Sequence, residues 1–72
     1  MSDVDVYTED LKRQLQNRLA IIGLKEIALD VAFVDGRLVV NATRGVVGVS
    51  TSVEEHRFFE DVMRALTTAF PL

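Results

Sequence analysis

Ile27-Ala28-Leu29-Asp30-Val31-Ala32-Phe33-Val34-Asp35-Gly36-Arg37-Leu38-Val39-Val40-Asn41-Ala42-Thr43-Arg44 is the stretch that decides the fold. Ile27, Leu29, Val31 and Phe33 alternate with Ala28, Asp30, Ala32 and Val34, the two-residue period of a half-buried strand. Asp35-Gly36 is the strongest short hairpin signal, because a type I′ turn needs positive φ at both central positions. With those two as the turn, the register follows. Phe33 faces Leu38, Val31 faces Val40, Leu29 faces Ala42 and Ile27 faces Arg44. On the opposite face Val34 meets Arg37, Ala32 meets Val39, Asp30 meets Asn41 and Ala28 meets Thr43. Turn chemistry and alternation, two independent signals, predict one hairpin over 26–44.

Beyond Arg44 the reading forks. Residues 45–51, Gly-Val-Val-Gly-Val-Ser-Thr, either continue the second strand through Val46, Val47 and Val49 past a bulge at Gly45, or form a third short strand after a turn, or are a mobile loop. Ser52-Val53-Glu54-Glu55 then has the form of a capping box, Ser at the N-cap and Glu at N3, which predicts a helix over 52–70. Phe59, Val62, Met63, Leu66 and Phe70 mark its core face. Phe58, Ala65 and Ala69 widen the apolar arc, and Pro71 ends the helix. Upstream of the hairpin, Thr8 reads as an N-cap with Glu9 and Asp10 in the first turn. Leu11, Leu15, Leu19 and Ile22 recur at helical spacing over 8–22. Gly23 suits a left-handed C′ position from which Leu24 folds back on Leu19. Residues 1–7 read as a flexible lead or a short strand. The whole is one small α+β domain of two layers: a helix, a hairpin extended to three strands if 45–51 pairs, and a second helix, with both helices covering a small antiparallel sheet.

Composition narrows the function classes. The chain has 72 residues with eight Lys/Arg against eleven Asp/Glu, a formal charge of −3, one His and no Cys. A disulfide scaffold, a thiolate zinc site, a Cys nucleophile and a multi-His metal site are therefore excluded. Mild acidity argues against a dedicated nucleic-acid binder. The longest apolar run, Leu19–Leu24, is far short of the roughly 20 residues of a membrane span. The acidic N-terminus does not read as a signal peptide, so the expected setting is cytoplasmic. A domain this small buries only about 60% of its unfolded surface, yet its mean hydropathy is +0.21. Both facts point to oligomerisation, a dimer first, as a source of further burial.

The candidate interface follows from the leftover apolar groups: Phe58, Ala65 and Ala69 on the outer arc of the second helix, with Val46, Val47 and Val49 beside them. A second candidate is a ligand loop of Arg44, Gly45, Gly48 and Ser50, since a Gly-rich segment running into a helix N-terminus can cradle phosphate on free N–H groups. Its spacing matches neither the phosphate loop nor the dinucleotide fingerprint. His56 with Glu55, Glu60 and Asp61 reads as a solvated helix face rather than a metal or acid–base site. Asp30 opposite Asn41, near Thr43, reads as an ordinary cross-strand pair. No cofactor, metal or catalytic group is implied.

Residues 8–44, a helix and then a hairpin closing at Val34-Asp35-Gly36-Arg37-Leu38-Val39, resemble the BON module of bacterial envelope proteins, although 45–51 is long for that pattern and its last strand is missing. The order of elements is also similar to small head–tail joining proteins of tailed phages. Such likeness of element order implies a fold and not a function. The expectation is a non-enzymatic interaction or assembly module acting as a homo-oligomer with a protein partner. The alternatives are a nucleic-acid- or phosphate-recognising regulator using Gly45–Ser52, and a phage or virus structural or accessory protein.

Overall fold

A computed structural model describes residues 3–71, so Met1 and Ser2 of the N-terminal lead, and Leu72, lie outside the described residues. Five elements and a short 3-10 turn follow in order: α1 (Asp3–Ile21), β1 (Ala28–Val34), β2 (Arg37–Arg44), β3 (Val47–Val53), the 3-10 turn Glu55–Arg57, and α2 (Phe58–Ala69). The strands form one antiparallel sheet in the order β1-β2-β3. The β1–β2 register is the predicted one at every pair from Ala28 with Thr43 to Val34 with Arg37. Asp35 and Gly36 have φ of 51° and 77°, as the type I′ turn requires.

Residues 47–53 resolve the fork as a third strand. Gly45 and Val46 are the two residues of a second tight turn, with Gly45 at φ 64° and Arg44 paired with Val47. Positive φ at the first central position alone is the II′ pattern, which glycine serves without a Cβ penalty.

Two helix starts differ from expectation. The first helix begins at Asp3, not Thr8, and no strand forms in 3–7. Asp3 and Asp5 supply the first-turn acids, and Thr8 sits inside the helix with its hydroxyl donating to the Asp5 carbonyl at 3.2 Å. At the second helix the capping box does not form. Ser52 and Val53 are spent on β3; the helical turn starts at Glu55 and α2 at Phe58, with no side-chain cap at either start. Ladder pairing of Ser52 with Val39 outcompetes the local cap.

The end of α1 closes as predicted. Gly23 is at φ 93°; its N–H donates to the Ala20 carbonyl at 3.1 Å, and Leu24 N–H reaches Leu19 at 2.8 Å. Leu24 and Leu19 are both buried, which completes a Schellman motif. Leu24, not the exposed Ile22, is the last core residue of this segment.

Both helices lie on one face of the sheet. Leu29 and Val31 of β1, Leu38, Val40 and Ala42 of β2, and Val53 of β3 are buried with Leu11, Leu15 and Leu19 of α1 and Phe58, Val62, Leu66 and Phe70. Side chains of opposite parity, such as Asp30, Asn41 and Ser50, are exposed. α1 covers β1, and α2 covers β3 and part of β2. Two guanidinium groups extend this cover. Arg18 of α1 stacks on Phe59 at 4.3 Å, and Arg44 on Phe70 at 5.3 Å. No helix among the described residues is long and apolar enough to cross a membrane.

Candidate functional site

The predicted interface residues divide into one that lies inside the protein and five that do not. Phe58 is 2% exposed and belongs to the monomer's own core, so it is not offered to a partner. The physical reason is the phase of the helix. With α2 starting at Phe58, that ring, Val62 and Leu66 lie along the line facing the sheet, while Phe59 and Met63 rotate toward α1 and are partly covered. Phe58 and Phe59 meet edge to face at 5.0 Å, so the two rings exchange the roles expected of them.

Ala65 and Ala69 are partly buried on the flank of α2 away from Arg18 and α1. With Arg57, Asp61, Arg64 and Thr68 they line a shallow groove along the helix. Arg57 is neutralised within the helix by Glu60 at 3.5 Å and Asp61 at 3.4 Å, and Arg64 by Glu60 at 3.4 Å. These are exposed pairs that shape the surface charge more than they stabilise the fold. Val47 and Val49 lie in β3 on the helix-covered side, Val47 exposed and Val49 partly buried against the core. Val46 is 102% exposed at the tip of the β2–β3 turn. Ala65, Ala69, Val47 and Val49 thus share the β3 side of the domain.

The ligand loop is not built. Gly48 and Ser50 are strand residues, paired with Thr43 and Asn41. Arg44 ends β2 with its guanidinium on Phe70. Because β3 and the Glu55–Arg57 turn separate Gly45 from α2, no glycine-rich loop leads into a helix N-terminus. His56 is exposed on the 3-10 turn, with Nε2 3.4 Å from Glu54, while Asp30 and Asn41 sit opposite each other on the uncovered sheet face. These groups do not converge, and no cluster of three metal-ligating side chains occurs among the described residues.

Two features escaped the sequence reading. Tyr7 of α1 donates its phenol proton to Glu55 Oε2 at 2.9 Å, tying the first turns of α1 to the 3-10 turn. Burial chiefly, then the hydrogen bond and charge of Glu55, raise the Tyr7 pKa above 10.0. Arg37 lies across the open sheet face and donates through Nε to Ser52 Oγ at 3.0 Å and through Nη2 to the Ser52 carbonyl at 3.3 Å. Neither contact has a local signal, since the partners are 48 and 15 residues apart.

The chain matches no family model, no curated protein and no solved structure.

Proposed function

We propose that this protein is a small non-enzymatic interaction or assembly module that works as a homo-oligomer, a dimer in its simplest form. One observation carries the reading: the chain covers one face of its three-stranded sheet and leaves the other face open, with few charges on it. By strand parity that face presents Ala28, Asp30, Ala32, Val34, Arg37, Val39, Asn41, Thr43, Gly48, Ser50 and Ser52. Asp30 and Arg37 are its only ionic side chains. A sheet needs a second layer wherever its face is not well solvated, and surfaces low in charge are where partners meet. Val46 and Val47 add exposed apolar surface at one end of the sheet. Net acidity and the lack of cysteine support a cytoplasmic setting.

Sedimentation across a dilution series tests this reading. A dimer at high micromolar concentration that dissociates on dilution is the expected result. A monomer throughout overturns it.

A further inference from the structure

We infer that two copies of this chain join through β3, edge to edge and antiparallel, into one continuous sheet. The inference rests on the self-association proposed above and assigns it to the edge of the sheet, not to the open face.

The backbone phase of β3 follows from its turn. A two-residue turn closes on a hydrogen-bonded pair, here Arg44 with Val47. Bonded and unbonded pairs then alternate along an antiparallel ladder. Val47, Val49, Thr51 and Val53 therefore bond to β2, and Gly48, Ser50 and Ser52 turn their N–H and C=O groups away from it. The first hairpin gives the same phase from the other side: with Val34–Arg37 bonded, Arg37, Val39, Asn41 and Thr43 serve β1, which leaves the alternate residues of β2 for β3. β3 is an edge of the sheet, and of its outward groups the Ser52 carbonyl accepts from Arg37 Nη2, with a second lone pair still available.

Edge strands are normally blunted by charge, proline or a bulge. Val47-Gly48-Val49-Ser50-Thr51-Ser52-Val53 has none of these. It is also self-complementary. A two-fold axis at Ser50 pairs Ser50 with its own copy, Gly48 with Ser52, Val49 with Thr51 and Val47 with Val53. Each outward-facing residue then meets another in the bonded geometry, and no charge opposes a like charge. The apolar row of β3 gains cover at Val47, which is exposed in the single chain. Above the junction the facing flanks of α2 carry Ala65 and Ala69 next to the sheet, with Arg57, Asp61, Arg64 and Thr68 beside them.

The β1 edge lacks this fit. Arg18 marks the side of α1 that faces α2; the opposite side, above the β1 edge, carries Lys12 and Gln16. A partner arriving there meets Lys12 and Gln16 with no counterpart to Ala65 and Ala69 next to the sheet.

The test uses the full chain, which contains no cysteine. In the wild type, amide exchange is followed from low to high concentration. The amides of Gly48, Ser50 and Ser52 are expected to slow by at least about tenfold on association, and those of Leu29, Val31 and Phe33 on the β1 edge to stay unchanged. Ser50→Cys under mild oxidation is expected to form a disulfide dimer, since a bonded pair holds its Cα atoms about 5.5 Å apart. Asn41→Cys, in the same cross-strand row but roughly 14 Å from its copy, is expected not to. A dimer that shows neither the protection nor the Ser50→Cys cross-link overturns β3 pairing and leaves self-association standing. A wild-type monomer at every concentration overturns both.

Discussion

Gly36 sits at φ 77° with open space where a Cβ would be built. A substitution there meets no clash, so its cost is conformational. Placing a non-glycine residue in the left-handed region costs about 1–2 kcal/mol, partly offset by the smaller entropy the new residue loses on folding. Gly36→Ala is expected to lower stability by about 1 kcal/mol and Gly36→Asn by less, read from urea midpoints. Tyr7 gives a pH-dependent counterpart. Its raised pKa means that the folded chain disfavours the phenolate. The unfolded chain therefore loses this proton first as pH rises. The Tyr7 contribution is complete below about pH 10, the ordinary tyrosine value, and is lost as pH climbs through the higher folded value. Tyr7→Phe is expected to flatten the fall in stability above pH 10. An unchanged alkaline limb would show that the Tyr7–Glu55 contact does not govern it.

The elements were legible where two local signals agreed and illegible where a local signal competed with a distant one. Val31-Ala32-Phe33-Val34 alternates and Asp35-Gly36 turns, so the β1–β2 register could be read pair by pair. Gly23 and Leu24 likewise announce the end of α1. Ser52, by contrast, satisfies a capping box on paper, but it lies in β3 opposite Val39, and Arg37 donates to its hydroxyl and carbonyl instead. That competition moves the start of α2 to Phe58. The interface reading of Phe58 failed because the sheet-facing line of α2 runs through Phe58, Val62 and Leu66 and leaves Phe59 and Met63 to one side, whereas Ala65, Ala69, Val47 and Val49 stayed on one side of the domain. The shift has a measurable consequence. Phe58→Ala opens a hole in a closed core and is expected to cost about 3–5 kcal/mol. A chain of this size has a stability of roughly 4–11 kcal/mol, so the variant loses about a quarter of it at the least. Phe59→Ala is expected to cost less, since that ring is half covered and its main neighbours are Phe58 and Arg18. Equal losses for the two variants would contradict the helix phase.

At the scale of the molecule, the chain buries as much as its length permits. Its accessible surface is 4709 Å², about 60% below that of an extended chain of this mass and usual for so small a domain. No buried side-chain nitrogen or oxygen among the described residues lacks a hydrogen-bond partner. The apolar residues left outside, led by Val46 and by Ile21 at 84% exposure, therefore sit around a core that is already closed. The proposed association is between folded subunits rather than a condition of folding. Two consequences separate these cases. On dilution, molar mass is expected to halve while far-UV circular dichroism stays unchanged. The thermal midpoint is expected to rise with protein concentration above the dissociation constant and to level off below it, because mass action stabilises only the fraction that is associated. A midpoint that keeps falling with dilution, with helical signal lost in step with molar mass, would mean that the core seen in one chain does not stand without its mate.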